Sequence, residues 1–368
     1  MIIMRRIPWH RFDWPLLALT VLLSSYGVIM IASALSGNAV LASWPWRQLG
    51  FLALGLVLLL LTALFDYRLL TSFAYPLYAL LLIVLLVIAA AGTTAGGAQR
   101  WLALGEFLLQ PSEMVKLGLI LALAHFLSSH EERMGSLVTP VLALLLAAPA
   151  VILIYLQPNL GTALSLLVIA GTMLLVAGIR WWHALLMGVA GAAAAGPAWH
   201  YLLRDYMKDR IRMFLDPSTV PAADRYNVEQ AMISIGSGGW WGRGLFRGSQ
   251  SQLHFLRVRH TDFIFSVTAE ELGFVGAVLM IGLFTLLLLR LLRVASLARD
   301  SFGRLIVTGV TTMIFFQMVV NIGMNLNLMP VTGIPLPFVS YGGSSLWAML
   351  IGIGLAESVA MRYRKIEF

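Results

Sequence analysis

Cysteine is absent from this sequence, and charged residues are scarce. With no cysteine in 368 residues, the chain has no disulfide framework, no thiolate nucleophile and no cysteine-ligated metal site. Charged residues make up 11% of the chain and hydrophobic residues 60%, with a mean hydropathy of +0.86. This composition excludes a soluble globular domain, because too few polar side chains are available to cover its surface. The chain is therefore predicted to be an integral membrane protein whose chemistry depends on carboxylates, bases, hydroxyls and backbone groups.

Apolar runs of spanning length recur along the whole chain. They predict an all-α polytopic membrane protein with about ten transmembrane helices in a single domain, residues 1–368. The predicted spans are 14–35, 48–65, 73–91, 111–128, 137–156, 162–178, 184–203, 264–289, 305–325 and 343–361. The first run has the length of a span, so we interpret it as the first helix and not as a cleaved signal.

Positive charge is distributed unevenly between the two ends of these spans. Both termini and the loops that would share their side carry thirteen Lys and Arg residues, against Arg47 and Arg100 in the short loops opposite. By the positive-inside rule, both termini are expected to be cytoplasmic, and the long loop 204–263, between helices 7 and 8, to be extracytoplasmic. A loop of this length without spanning hydrophobicity is usually functional.

The segment 226–273 combines glycine and charge in surroundings that are otherwise lipid-soluble. Six glycines between Gly236 and Gly248 would let backbone N–H groups approach a ligand closely. Four arginines add positive charge: Arg243, Arg247, Arg257 and Arg259. His260, Thr261 and Asp262 then precede the run that enters the membrane. The Asp262 carboxylate is expected at a membrane–water boundary, where desolvation or nearby arginines can tune its pKa.

Four long blocks, in order along the chain, permit comparison with known families. They are GGAQRWLALGEFLLQPSEMVK at 96–116, QPNLGTA at 157–163, HTDFIF at 260–265 and MPVTGIPLPFVSYGGSS at 329–345. Together they resemble the SEDS family (shape, elongation, division and sporulation) of polytopic peptidoglycan glycosyltransferases. The segment PVTGIPLPFVSYGG is more similar to the elongation branch, RodA, than to the division branch, FtsW. The resemblance implies an enzyme that polymerises lipid II, the lipid-linked peptidoglycan precursor, for cell elongation and rod shape.

The family match places the catalytic base at Asp262. This carboxylate would take the proton from the acceptor sugar's 4-hydroxyl as that oxygen attacks the donor's anomeric carbon. Inversion at that carbon gives a β-1,4 link and releases undecaprenyl pyrophosphate. His260 is the alternative base, although neighbouring arginines would discourage its imidazole from holding a proton. The candidate substrate contacts are Arg100, Glu113, Lys116, Arg243, Arg257, Arg259, His260, Ser340 and Tyr341.

Several of these residues also have a structural interpretation. Glu113 and Lys116 are three residues apart on one helix, so they form either an ion pair that joins helices or part of a polar cavity for an anionic head group. Ser340 and Tyr341 either contact the substrate through their hydroxyls or pack in the interior.

The sequence departs from the family pattern at two places. Asn159 replaces an acidic residue, which leaves any ionic role of that position unassigned, and a Pro-Asn turn that caps the following helix explains it equally well. Arg257 and Val258 stand where the family tends to have Pro-Glu.

Polar residues inside two of the predicted spans require partners. Glu270 and Glu271 are drawn into the eighth span, where we expect them to pair with an arginine of the loop. Gln317, Asn321 and Asn325 recur every four residues in the ninth span, a spacing typical of helix–helix contacts.

The resemblance also implies ligands and partners. We expect a divalent cation, Mg²⁺ or Mn²⁺, to help neutralise the pyrophosphate, although no metal-ligand spacing is visible, and we expect no nucleotide. The expected partner is a class B penicillin-binding protein, a transpeptidase that cross-links the strands, together with membrane lipid and no nucleic acid. Two alternatives remain: a lipid II flippase or transporter that uses the intramembrane charges for coupling, and a non-catalytic scaffold of the synthase complex.

Overall fold

The computed structural model describes residues 9–37, 39–91, 93–95, 98–104, 107–253 and 255–363. It confirms the predicted all-α polytopic architecture. The helices are α1 Trp14–Ala34, α2 Trp44–Leu64, α3 Leu70–Ala91, α4 Pro111–Ser129, α5 Val138–Leu156, α6 Leu160–Val176, α7 Trp181–Pro197, α8 Asp205–Leu215, α9 Ala222–Gly238, α10 Ser249–Gln252, α11 Ile264–Leu297, α12 Ser301–Asn325 and α13 Gly343–Met361. Between α3 and α4 lie the short antiparallel strands β1 Thr93–Ala95, β2 Ala98–Leu104 and β3 Phe107–Leu109, in the order β1-β2-β3.

Each of the ten predicted spans corresponds to a helix: α1 to α7 and α11 to α13. In the described ranges, eight helices are long and apolar enough to cross a bilayer, and α6 is a shorter apolar helix of 17 residues. Two of the boundaries that differ from the prediction, the start of α2 and the end of α11, have a visible local reason. Helix α2 begins at Trp44 because Pro45 suits the first turn of a helix. Helix α11 continues past residue 289 because Arg290 donates to the Asp13 carboxylate (2.8 Å), which keeps that charge within the helix.

Helices α12 and α13 form the centre of the bundle. In each, 83% of the spanning residues are buried within the protein, compared with 22% in α3 and 28% in α2. The exposed side chains of the outer helices are nevertheless apolar, which is the pattern expected where lipid covers the surface. The most buried helices of the molecule are therefore the pair that border the segment PVTGIPLPFVSYGG.

The long segment 204–263 contains helices and is not a plain loop. Its first part forms the amphipathic helix α8, in which Met207 is the buried residue. Helix α9 was not predicted. It packs against α11, and its residues Val228, Ala231 and Ser234, which lie three residues apart, are buried. Two apolar residues and a serine at this spacing are too weak a pattern in the sequence to be distinguished from a polar loop.

Helix α11 is interrupted at Gly273, where the backbone is non-helical (φ 68°, ψ −164°). In a continuous helix, the N–H groups of residues 274 and 275 would donate to the carbonyls of Glu270 and Glu271. Here Phe274 and Val275 donate instead to the carbonyls of residues 239 and 240, at 2.8 and 3.2 Å. The freed carbonyls of Glu270 and Glu271 accept from the N–H groups of residues 243 and 244, at 3.0 and 2.9 Å. The 239–244 turn thus replaces two hydrogen bonds of the helix with four of its own.

Glycine makes this insertion possible. A Cβ at Gly238 would lie 1.9 Å from the carbonyl oxygen of Ala269, and a Cβ at Gly242 would lie 2.1 Å from that of Glu271. Gly242 also has φ +77°, which favours glycine. These glycines, which we expected to approach a ligand, approach the backbone of α11 in the structure.

The prediction that Glu270 and Glu271 pair with an arginine of the loop is wrong. Both glutamates are 0% exposed, and within the described residues they accept hydrogen bonds from serine hydroxyls and backbone N–H groups. Short turns can supply such donors to a buried carboxylate at close range, which removes the need for a counter-charge.

Candidate active site

A polar cavity of about 610 Å³ lies among the helix ends on the side of the 204–263 segment. It is bordered by the starts of α4 and α6, by the α8 region, and by the segments that precede α11 and α13. Its charged and hydrogen-bonding lining residues include Glu113, Asn159, Arg204, Arg210, Asp262 and Tyr341. The cavity therefore brings two carboxylates and two guanidinium groups into one polar space.

The backbone just before Asp262 is fixed by the segment that leads into α13. The His260 carbonyl accepts from the N–H of Tyr341 at 2.9 Å, and the Thr261 carbonyl accepts from the hydroxyl of Ser340 at 2.6 Å. The Ser340 hydroxyl also accepts from the N–H of Leu336 at 2.9 Å. Ser340 is buried with both of these bonds made, so in this structure its hydroxyl positions the backbone, while the ring of Tyr341 borders the cavity.

The carbonyl of Asp262 is fixed by α12. It accepts from the side-chain amides of Asn325 at 2.9 Å and Asn321 at 3.1 Å. Asn325 Oδ1 also accepts from the N–H and the hydroxyl of Ser266, at 3.2 and 2.6 Å. The two amides thus join α12 to the start of α11, as their spacing indicated. Since three consecutive carbonyls are held, the position of Asp262 is set by its backbone.

The side chain of Asp262 is half-buried at the cavity wall. It faces Gly333, since a Cβ on that glycine would lie 3.6 Å from Asp262 Oδ2. Gly333 has φ +70°, a conformation that favours glycine. The absence of a side chain at this position leaves space beside the carboxylate for a substrate group.

His260 lies behind this wall and is not among the lining residues of the cavity. Its imidazole packs edge-on against Trp44, with ring centroids 5.1 Å apart, and against Tyr341 at 6.0 Å. Burial, with a smaller contribution from Arg259, lowers the pKa of His260 to about 4. At neutral pH it is therefore an uncharged ring. Because Asp262 borders the cavity and His260 does not, the structure favours Asp262 over His260 as the base.

Glu113 and Lys116 form the ion pair that their spacing indicated. Lys116 Nζ lies 2.8 Å from Glu113 Oε2, and both side chains are almost completely buried. Glu113 borders the cavity, whereas Lys116 is not among its lining residues. The ion pair is confirmed, but it lies within α4 and does not join two helices, and its member at the cavity is Glu113 and not Lys116.

Among the residues whose side chains the structure describes, the arginines that border the cavity are not the predicted ones. Arg210 borders the cavity and donates to the Thr332 carbonyl at 3.1 Å, next to Gly333, and Arg204 borders it at the start of α8. The sequence contains little to indicate that these two arginines share a site. Its one relevant feature is that Tyr206 and Arg210 are four residues apart, and in the structure the Arg210 guanidinium lies 6.0 Å from the Tyr206 ring. That spacing gives α8 one face of cavity-lining side chains.

Three of the predicted arginines, Arg243, Arg257 and Arg259, lie elsewhere, and the contact of all four with substrate stays a prediction. Arg259 is buried and donates to the Ala34 carbonyl at 2.5 Å. Arg257 is exposed, 5.7 Å from the ring of Tyr226, and Arg243 is exposed and donates to Ser237. Arg100 falls in β2, and its predicted contact lies outside what the structure describes.

Asn159 caps α6, since its Oδ1 accepts from the N–H of Thr162 at 3.2 Å. The capping interpretation of the Pro-Asn turn is therefore confirmed. Among the described residues, no group of three or more His, Asp or Glu side chains could hold a metal ion. The cavity carboxylates do not form a cage, because Glu113 is held by Lys116. These residues alone do not fit a protein-bound cation.

The bundle of spanning helices and its polar cavity define a polytopic membrane protein with a carboxylate-bearing site at one helix end. A profile of the cell cycle protein family, which includes FtsW, RodA and SpoVE, matches residues 13–365. The chain therefore belongs to this family.

Named relatives support the family assignment. Peptidoglycan glycosyltransferase MrdB of Escherichia coli K12 is 38% identical over 350 residues, which cover 94% of this chain and 93% of that protein. A chain of a solved peptidoglycan synthase complex that coordinates polymerization and crosslinking is 37% identical, with a TM-score of 0.81 and coverage of 95% and 97%. The rod shape determining protein RodA of Thermus thermophilus is 35% identical, with a TM-score of 0.70 and coverage of 97% and 99%. These matches place the chain with the elongation-type members.

Proposed function

We propose that this chain is a peptidoglycan glycosyltransferase that polymerises lipid II into glycan strands for cell elongation. Relatives with that enzyme name match this chain over nearly their whole length. The observation that supports the proposal most directly is the placement of Asp262: its backbone is fixed by Asn321 and Asn325, and its side chain lies at the wall of an arginine-bordered cavity. A positioned carboxylate next to fixed positive charge suits general-base catalysis with an anionic leaving group.

In this mechanism, Asp262 accepts the proton of the acceptor sugar's 4-hydroxyl. The oxygen forms a bond to the donor's anomeric carbon while the bond from that carbon to the pyrophosphate oxygen breaks. The configuration inverts, so an α-linked donor gives a β-1,4 link, and undecaprenyl pyrophosphate leaves with the electron pair. Arg204 and Arg210, which border the same cavity, are placed to bind the departing phosphates.

A divalent cation, Mg²⁺ or Mn²⁺, remains part of the proposal. Since the described residues form no metal cage, the cation would enter with the pyrophosphate and would add charge neutralisation at the leaving group. The proton transfer at Asp262 does not depend on it.

The surroundings of the enzyme follow from the charge distribution and the relatives. We propose that it lies in the cytoplasmic membrane with both termini in the cytoplasm and the cavity on the extracytoplasmic face.

We further propose a class B penicillin-binding protein as its partner, because one similar chain belongs to a complex in which polymerization and crosslinking are coordinated. Co-purification in mild detergent should recover a transpeptidase, and its absence when other membrane complexes stay intact would count against the partner.

Purified protein in lipid vesicles with labelled lipid II tests the function. A glycosyltransferase makes glycan chains without ATP. Exchange of lipid II between leaflets without any polymer would instead indicate a flippase. A preparation that shows neither activity alone, but raises the activity of an added synthase, would indicate a scaffold.

A further inference from the structure

The proposed mechanism does not use two adjacent, fully buried glutamates near the start of α11. Glu270 Oε1 accepts from the N–H of Gln250 at 2.8 Å and from the hydroxyl of Ser249 at 3.2 Å. Its other oxygen accepts from the N–H of Ser251 at 3.3 Å. Neither Glu270 nor Glu271 borders the cavity. Glu270 therefore fixes the start of α10.

Glu271 connects the same segment to α1. Its Oε2 accepts from the hydroxyl of Ser33 and from the N–H of Phe246 at 3.3 Å. Gln252 strengthens this junction, because its side-chain amide donates to the Ser33 carbonyl at 2.9 Å. The end of α1 is therefore tied to α11 through a buried carboxylate, and to the intervening loop through the bonds that Gln252 and the N–H of Phe246 donate to Ser33.

Further hydrogen bonds lead from both attachments to the residues before Asp262. The Gln250 carbonyl accepts from the N–H of Leu256 at 3.3 Å, and the Leu256 carbonyl accepts from Arg259 Nη1 at 3.4 Å. Arg259 Nε in turn donates to the carbonyl of Ala34, the neighbour of Ser33. These hydrogen bonds, together with the peptide bonds between Ser33 and Ala34 and between Glu270 and Glu271, form a closed ring. We call it the acid-pair ring; its members are Glu270, Gln250, Leu256, Arg259, Ala34, Ser33 and Glu271.

We propose that Glu270 and Glu271 are positioning residues that hold Asp262 in its reactive place through the acid-pair ring. Arg259 is three residues before Asp262, and α11 begins two residues after it, so the ring fixes one side of the segment that carries the carboxylate. The amides of α12 fix the other side. Small displacements of a catalytic group cost up to about 10²-fold in rate, so loosening one side should be visible in kcat. The inference rests on the proposed glycosyltransferase function.

The test compares Glu271→Gln, Ser33→Ala and the double variant with two matched controls. Ser24→Ala removes a buried hydroxyl of α1 that makes no hydrogen bond within the described residues. Glu357→Gln changes a fully buried glutamate of α13, far along the chain from the ring. Lipid II polymerisation is measured per folded protein, and backbone hydrogen–deuterium exchange is followed over residues 256–263.

Each ring variant should lower kcat by about tenfold or more with less than a twofold change in KM, and the double variant should lose no more than the worse single one. Exchange over 256–263 should be faster in the ring variants and unchanged in both controls. The inference would be overturned if the ring variants kept the wild-type kcat per folded molecule, whatever the change in their melting temperature. It would also be overturned if exchange over 256–263 were the same in the ring variants as in the wild type. If wild-type protein itself makes no polymer, the proposed function fails, and the exchange result still decides whether the ring holds the segment.

Discussion

Asp262 and Glu113 are both carboxylates at the cavity wall, but their surroundings differ. Glu113 is deeply buried and bonded to Lys116 at 2.8 Å, so its negative charge is already compensated within the protein. Asp262 is half-buried at the cavity wall, with its backbone carbonyl held by α12 and its side chain beside Gly333. The proposed proton transfer is assigned to Asp262 as a prediction, because Glu113 is already committed to the ion pair with Lys116.

Arg210→Ala should weaken lipid II binding. Loss of a charge-assisted hydrogen bond costs about 1.5–3 kcal/mol, which is roughly ten- to hundredfold in affinity. We therefore expect KM for lipid II to rise by at least about tenfold. The matched control is Arg212→Ala on the same helix, because Arg212 is exposed and pairs with Asp209 at 3.0 Å. Equal KM values for the two variants would contradict a role of Arg210 in substrate binding.

The lowered pKa of His260 predicts a pH dependence of stability. The folded pKa is about 4, below the ordinary value of 6.5, so between these pH values the unfolded chain binds a proton that the folded protein does not. Stability should therefore be full above pH 6.5 and fall as the pH decreases towards 4. His260→Gln removes this contribution, so the drop in melting temperature from pH 7.5 to pH 5 should be smaller in the variant. An identical drop in both proteins would show that His260 does not contribute.

At the scale of elements, the bilayer explains what could be predicted. A span needs a long apolar run, so the sequence located ten helices, although α11 runs further because Arg290 meets Asp13, a contact between distant parts of the chain. The HTDFIF block located Asp262. Arg210 was not found because its role depends on the Thr332 carbonyl, 122 residues away, and a single sequence contains no record of that contact.

The interruption of α11 predicts a strict need for glycine. Gly242→Ala would place a Cβ 2.1 Å from the Glu271 carbonyl oxygen, at a positive φ, so the 239–244 turn would have to leave the helix. A displaced backbone at such a site costs on the order of 1–3 kcal/mol, and we expect a lower melting temperature and lower activity. Gly236→Ala is the control, because nothing lies within 4 Å of a Cβ there. Equal melting temperatures for the two variants would contradict the inserted turn.

At the scale of the whole molecule, the described residues form no cage for a metal ion, and this makes a specific prediction about cations. If the cation arrives with the pyrophosphate, chelation should lower lipid II polymerisation at least about tenfold, and added Mg²⁺ or Mn²⁺ should restore it. The melting temperature of the substrate-free protein should not change, because the described residues hold no metal cluster. Polymerisation that survives thorough chelation would remove the cation from the mechanism.

The molecule as a whole is a membrane-embedded helical bundle that holds the Asp262 carboxylate at the wall of a polar cavity. Asp262→Asn keeps the shape of that side chain and removes its basicity, while Asp209→Asn makes the same change on α8, where Asp209 pairs with Arg212. The most direct measurement is the initial rate of lipid II polymerisation by the purified wild-type protein and these two variants in the same vesicles. Asp262→Asn should fold and insert normally yet lose about 10²–10⁴ in rate, with Asp209→Asn close to wild type. An Asp262→Asn rate within a few-fold of wild type would contradict Asp262 as the base and transfer that role to His260 or to a metal-bound base.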